Sequence, residues 1–205
     1  MFKNISWLFF DVGSTLIDEQ IAYKHRMEDI AEAANTTYNN VYGTAIQFYK
    51  QNKKGDLETA KQFGVPLPKW HTEDEILYPD AAQYLKTLSR KYKIGIIANQ
   101  EPGTKYRLQQ HNILQYIDLV IASAEEGVAK PDEKIFKIAL ERATCKSSDA
   151  IMIGDRIDND IIPAKKLGFH TIWIKQGFGQ YWNITSEKEK PDYIAHSLTE
   201  LCDIL

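Results

Sequence analysis

The sequence predicts an α/β protein, a Rossmann-like parallel-sheet core carrying a small α-helical cap domain. Three observations lead there. From about residue 79 onward, short apolar runs alternate with amphipathic stretches, the rhythm of a parallel sheet covered on both faces. One earlier apolar run, "ISWLFF", stands apart from that alternation. The residues between are mostly helical in character, as an insertion after the first strand would be.

Each element follows from its residues. "ISWLFF" reads as a short buried strand ending on Asp11. From Glu19 to Lys54, Ile21, Met27, Ile30 and Ala34 recur at roughly helical spacing, and "NTTYNN" splits the segment into two helices. "FGVPLPKW" holds too much proline and glycine to continue a helix. "YPDAAQYLKTLSRKY" starts a helix with Pro79 near its first turn. "KIGIIAN", "IDLVIAS", "AIMIGD" and "HTIWIK" are strand-like. Between and after them, "TKYRLQQHN", "PDEKIFKIALERA" opened by Pro131, "DIIPAKKLG" ended by Gly168 and "SLTELCDIL" are helical. The division is a core of residues 1–16 and 79–205 with a helical cap over 17–78.

Bulk properties narrow the function. A chain of 205 residues suffices for one α/β domain with a small insertion. The formal charge of −3 gives no electrostatic case for nucleic acid or an anionic membrane as partner. No apolar stretch approaches a membrane span, and the first apolar run is too short for a signal peptide. Cys145 and Cys202 are too few for a disulfide framework and read as reduced thiols. The expectation is a soluble, cytoplasmic protein acting on a small molecule. The five histidines lack zinc-site spacing with the cysteines, so no zinc site is expected.

In a parallel α/β sheet the ligand lies beyond the carboxyl ends of the strands. Here those ends carry Asp11, Asn99 with Gln100, Lys130 just before a helix, and Asp155 with Asp158 and Asp160 behind it. Carboxylates gathered at one edge repel one another unless a cation is present. A hard divalent ion is implied, and Mg²⁺ suits a few carboxylates, waters and a substrate phosphate. Asp158 reads as a helix cap rather than a ligand.

Four spaced motifs carry a resemblance: "DVGST", "IIANQ", "AKPDEKIF" and "IGDRIDNDI". In this order, on these strand ends, the sequence resembles the haloacid dehalogenase superfamily of hydrolases with a cap inserted after the first strand. The resemblance implies a Mg²⁺-dependent hydrolase of a small phosphorylated substrate, with Asp11 as nucleophile. It implies a metal held by Asp11, the Gly13 carbonyl and Asp155, with Asp160 as ligand or neighbour. Lys130 and the Asn99 region, with Gln100 beside it, would hold the phosphoryl oxygens. Two positions depart from the family pattern. Gly13 stands where phosphatases of the family carry a second aspartate, the general acid/base. Ala98 stands where they carry a hydroxyl, leaving only its backbone N–H to bind phosphate.

Gly13 also has a permissive reading, since glycine adopts backbone angles that other residues avoid. Ser14 and Thr15 are expected to satisfy the turn, with a smaller chance of touching substrate. Glu19 and His25 are the cap residues nominated to replace the missing proton donor. Members that cleave C–P or C–halogen bonds also lack the second aspartate, so those reactions stay open. For C–P cleavage Lys24 would be the Schiff-base candidate. A weakly active or regulatory ligand-binding member is the remaining alternative. The aromatics of "GFGQYW", Phe178, Tyr181 and Trp182, are expected to pack rather than bind.

Overall fold

Alternating apolar residues in the first strand settle how the core is layered. In β1 (Trp7–Phe10), Leu8 and Phe10 point to one face of the sheet and Phe9 to the other. The computed structural model describes residues 2–205. A tight turn after β1 leads to β2 (Ile17–Asp18), then helices α1 (Gln20–Ala33), α2 (Tyr38–Lys50) and α3 (Gly55–Gln62). A 3₁₀ turn at Thr72–Asp74 and β3 (Ile76–Leu77) return the chain to the core. There follow α4 (Ala81–Leu88), β4 (Lys93–Ala98), α5 (Thr104–Gln110), β5 (Leu119–Ala122), α6 (Ser123–Glu126) and α7 (Glu133–Ala143). The chain ends with β6 (Ala150–Gly154), α8 (Ile162–Lys166), β7 (His170–Ile174), β8 (Tyr193–Ala195) and α9 (Leu198–Ile204).

The main sheet is parallel with order β5-β4-β1-β6-β7-β8. The chain leaves β1 toward β4 and β5, then returns to the other side of β1 for β6. The order therefore reverses at β1, between the ends of β4 and β6, where such sheets bind ligands. On one face Leu8, Phe10, Ile96 and Ile153 pack with Leu85, Leu108 and Leu198 of α4, α5 and α9. On the other, Phe9, Ile97 and Met152 pack with Ile135, Phe136 and Ala139 of α7.

The inserted helices have their own apolar cluster, built on Met27, Ile30, Val41, Ala45, Tyr49 and Ala60. The break between α1 and α2 falls where the sequence signals it. Asn35 takes a left-handed φ of 50°, and the Thr37 hydroxyl caps α2 by accepting from the Asn40 N–H. The insertion leaves and rejoins the core through one antiparallel pair, Ile17 opposite Leu77 and Asp18 opposite Ile76. A core loop also enters it. Phe178, in the turn Gly177–Tyr181 after β7, stacks on Tyr49 with ring centroids 4.6 Å apart and meets Tyr23 edge-on at 4.7 Å. Beside it Asn52 and Asn183 exchange two hydrogen bonds of 2.9 Å.

Several elements differ from the sequence reading. Helix α3 has only eight residues and buries Gly55, Asp56, Thr59 and Ala60, too weak an apolar pattern to read. Strand β8 has three residues, one of them the exposed Ile194. Pro131 does not open α7. Asp132 caps that helix by accepting from the Lys134 N–H at 2.8 Å, and Pro131 precedes the cap. Asp160 and Ile161 belong to a π-helical turn, Ile157–Ile161, rather than to α8.

Phe178 packs, as expected, and its packing ties the insertion to the core. Phe178→Ala is expected to cost about 2–3 kcal/mol in urea unfolding, below a fully buried phenylalanine because the ring is partly exposed. A cost under about 0.5 kcal/mol, the range of ordinary surface changes, would mean that the insertion does not lean on this ring.

Candidate active site

At the switch point the strand ends deliver their carboxylates. Asp11 follows β1, and its backbone N–H bonds the Ile153 carbonyl at 2.9 Å, which pins it against β6. Asp155 follows β6, and the buried Trp173 indole donates to its backbone carbonyl at 2.8 Å. Asp160 comes from the π-helical turn. Gly154 admits it, because a Cβ there would fall 2.3 Å from Asp160 Oδ2. Asp11, Asp155 and Asp160 each bring a carboxylate oxygen within 4.8 Å of the others.

One cation compensates them. Lys130 is 4% exposed, and its Nζ donates to Asp11 Oδ1 at 2.7 Å and to Asp160 Oδ1 at 2.6 Å. Burial opposes its charge, but the Asp11 and Asp160 carboxylates outweigh burial and hold the ammonium above its ordinary pKa. Burial pushes Asp160 up to about 7 against the pull of Lys130. Burial and the charges of Asp11 and Asp160 raise Asp155 well above the carboxylate range. No hydrogen bond or ion pair engages the Asp155 carboxylate among the described residues. Three carboxylates against one ammonium leave a negative excess, and one member has no partner. That donor set fits a hard divalent cation.

The oxygens of Asp160 are already occupied, Oδ1 by Lys130 and Oδ2 by the Arg156 N–H at 3.0 Å. Asp160 thus holds Lys130 in place, and of these three carboxylates only Asp11 and Asp155 line the cavity, with Glu19 beside them. Gly13 lines it too, and the N–H groups of Thr15, Leu16 and Ile17 all bond the preceding carbonyl, that of Val12. That leaves the Gly13 carbonyl without a backbone partner among the described residues. The cavity has a volume of about 140 Å³.

Glu19 answers the question of Gly13. A Cβ on Gly13 would fall 2.3 Å from Glu19 Oε1, so the Glu19 carboxyl fills the space a side chain would use. Gly13 does not have a left-handed φ; Ser14 does, at 52°. The permissive-backbone reading of Gly13 is thus replaced by a steric one. Ser14 Oγ donates to Glu19 Oε2 at 2.9 Å and holds the carboxyl in place. Burial raises the Glu19 pKa to about 8, against the Ser14 hydrogen bond and with help from Glu75 and Asp11.

Other expected residues fall elsewhere. Ala98 is fully buried within β4 and does not line the cavity. Asn99 uses both ends of its amide on the Lys130 backbone, donating to its carbonyl at 2.8 Å and accepting from its N–H at 2.7 Å. It holds Lys130 in place and also lines the cavity. Gln100 lines the cavity, and its Oε1 accepts from Arg107 at 2.7 Å. Thr15 is fully buried. His25 bonds Asp74 on the insertion and is absent from the cavity wall, because its face of α1 turns toward the 3₁₀ turn. Lys24 lines a different cavity and pairs with Glu28 at 3.7 Å. Asp158 is not a cap. It holds Arg156 through two bonds of 2.9 and 2.7 Å, and Arg156 lines the site unforeseen from the sequence.

Two further cavities flank this one. A polar cavity of about 260 Å³ shares Glu19, Tyr23, Asn99 and Gln100 with it, and adds Arg26, Trp70, Glu75 and Arg107. The other, about 500 Å³, is rich in tyrosine and shares only Ser14 and Tyr23.

Two aspartates at the ends of adjacent strands, one bonded to a buried lysine and one unpaired, agree with the family comparison. The family model for haloacid dehalogenase-like hydrolases matches residues 8–174. The chain is a haloacid dehalogenase-like hydrolase. The hydrolase is 30% identical to a glyceraldehyde 3-phosphate phosphatase of Pyrococcus furiosus, over 99% of this chain and 94% of that protein. It is 34% identical to the pyrimidine 5'-nucleotidase YjjG of Escherichia coli over 54% of this chain and 53% of that one. The fold is similar to that of a predicted phosphoglycolate phosphatase from Haemophilus somnus, with a TM-score of 0.74 and 17% identity over 98% of both chains. The putative hydrolase YfnB of Bacillus subtilis matches with a TM-score of 0.73 and 20% identity over 99% of both.

The steric relation between Gly13 and Glu19 can be tested by stability alone. Gly13→Ala is expected to cost about 1–3 kcal/mol, as overpacking does. In a Glu19→Ala background that cost should vanish, giving a coupling of about 1 kcal/mol or more in a double-mutant cycle. Equal costs in both backgrounds would mean that the carboxyl steps aside freely.

Proposed function

We propose that the protein is a Mg²⁺-dependent phosphohydrolase that cleaves a small phosphate monoester through an aspartyl-phosphate on Asp11. The observation that carries this reading is the placement of Asp11. It ends a buried strand in a small cavity, bonded by a buried ammonium, with the unpaired Asp155 in ligand reach. The curated relatives named glyceraldehyde 3-phosphate phosphatases support a small phosphorylated metabolite as substrate. Residues 17–78 would act as the cap that closes over it. The free thiols Cys145 and Cys202 suit a reducing, cytoplasmic setting.

Asp11, the Gly13 carbonyl and Asp155 are the groups that would hold Mg²⁺. The bound ion would offset the repulsion between a carboxylate nucleophile and a phosphate dianion. An Asp11 oxygen attacks phosphorus in line with the ester oxygen, and the P–O bond to the leaving group breaks as the new one forms. Lys130 holds Asp11 in orientation and keeps a positive charge beside the phosphoryl oxygens. Water then attacks the phosphoryl group, inorganic phosphate leaves, and the Asp11 carboxylate is restored.

The proton that each half-reaction needs is assigned to Glu19. Its carboxyl occupies the space beside Gly13, lines the reaction cavity and reaches into the adjoining polar cavity, where the leaving group would lie. It would give its proton to the departing alcohol and take one from the attacking water.

Asp11→Asn should abolish phosphatase activity while circular dichroism and melting temperature stay near wild type. Activity retained in a purified variant would rule out Asp11 as nucleophile. Mg²⁺ at a hundredfold excess over Kd should stabilise the wild type by about 2.7 kcal/mol. Asp155→Asn should lose that stabilisation, and an unchanged shift in that variant would move the ion elsewhere. Glu19→Gln should lower kcat for alkyl phosphates by about 10²–10⁴-fold. Aryl phosphates, whose leaving groups need little protonation, should lose far less. A uniform loss across leaving groups would mean that the proton comes from another group.

A further inference from the structure

On the inserted helices, away from the carboxylate cavity, a second cluster of donor atoms has formed. His25 and Asp29 are four residues apart on α1 and share a face of it. His71 and Asp74 flank and close the 3₁₀ turn Thr72–Asp74. The two pairs cross. His25 Nδ1 lies 2.5 Å from Asp74 Oδ2, and His71 Nε2 lies 2.7 Å from Asp29 Oδ2. The imidazole rings stand edge to face with centroids 5.5 Å apart. His25, His71 and Asp74 each bring one donor atom within 4.8 Å of the others, and all three are half-buried.

The charged groups that reach the two rings directly are all carboxylates. Glu28 reaches His25 Nε2 at 4.0 Å and Glu73 reaches His71 Nδ1 at 3.3 Å. Four carboxylates thus face two imidazoles, and even two protonated rings would leave a negative excess. The nearest ammonium in an ion pair with any of them is that of Lys24, 3.7 Å from Glu28 on the outer side. Like-charged carboxylates held this close gain from a cation among them.

We propose that His25, His71 and Asp74 form a zinc site, with Asp29 orienting His71. Imidazole and carboxylate together are the donor set of Zn²⁺, whereas Mg²⁺ and Ca²⁺ prefer oxygen alone. Three protein ligands leave the fourth tetrahedral position to water. A carboxylate on the second ring nitrogen fixes the tautomer and the aim of a ligating histidine, which is the place of Asp29 or Glu73 on His71. The site would join α1 to residues 63–75, a segment held by no α-helix or strand of its own. Trp70 precedes His71 in that segment, carries Arg26 over its ring at 4.4 Å and lines the polar cavity beside Asp11. The ion would therefore fix one wall of the space into which the leaving group projects.

The test uses the whole protein and does not depend on turnover. Chelator-stripped protein is dialysed against Zn²⁺ with Mg²⁺ in large excess to fill the carboxylate cavity, and retained zinc is measured by atomic absorption. Stoichiometric zinc is expected on the wild type and on Asp155→Asn, and none on His25→Ala or His71→Ala. Co²⁺ in place of Zn²⁺ should show the visible bands of a four-coordinate ion, lost in the same variants. Asp29→Asn should weaken zinc binding by about 10–100-fold, as changes behind a ligand do. Zinc retained equally by both histidine variants, lost in Asp155→Asn, or absent from the wild type would overturn the proposal. If either alanine variant fails to fold by circular dichroism, Asp74→Asn, which keeps the side-chain shape, decides in its place by the same criterion.

Discussion

The ammonium of Lys130 lies buried between the carboxylates of Asp11 and Asp160, and three parts of the chain hold it there. Asn99 clamps its backbone from the end of β4, Asp160 takes one N–H from the π-helical turn, and Asp11 takes another from the end of β1. A charge taken out of water survives only when it is paired and hydrogen-bonded. Each of these strand ends therefore has to meet the others for any of them to be tolerated. The order reversal at β1 brings them together. What looks like chemistry placed on a fold is also a condition on the fold, because the sheet cannot close around three carboxylates without that lysine or another cation.

The site has two sides that are built differently. On the sheet side, positions are set by strand register and by buried backbone bonds, so Asp11 and Asp155 have little freedom. On the side of the inserted helices, Glu19 and Arg26 reach the cleft from the start of α1, and Trp70 reaches it from the segment that follows α3. Their placement depends on how the insertion rests on the core through Phe178 and the paired asparagines. Asp11 is thus fixed by the sheet, and Glu19, the group assigned to proton transfer, is carried by the insertion.

Much of this was legible before the fold was known, for a physical reason. Asp11 and Asp155 lie at the ends of apolar runs, and a parallel sheet gathers such ends on one edge whatever its details; Lys130 was marked instead by its place just before a helix. Residues that meet through the insertion carried no such signal. That Glu19 fills the space beside Gly13 depends on the angle at which α1 leaves the β2–β3 pair. His25 has the chemistry of a proton donor but faces the wrong side of its helix. Ala98 was expected at the phosphate because of its place in a motif, yet its strand buries it. Asn99 does line the cavity, but both ends of its amide are engaged in holding Lys130. Arg156 and Arg107 gave no warning, because surface arginines beside acidic residues are common in any helix-rich chain.

The register of the first strand has a consequence for synthesis of the chain. Trp7 is paired with Lys93 on one side and with Ala150 on the other, so β1 gains no sheet partner until those distant residues have emerged. Long-range parallel pairing is slow, and its unpaired edges are prone to associate in the meantime. The inserted helices, whose contacts are local, emerge first and have a core of their own. A nascent chain would therefore display a folded helical unit while the apolar "WLFF" segment waits beside it. That interval of waiting leaves an apolar strand without its partners, the state in which a chain is most prone to associate with its neighbours.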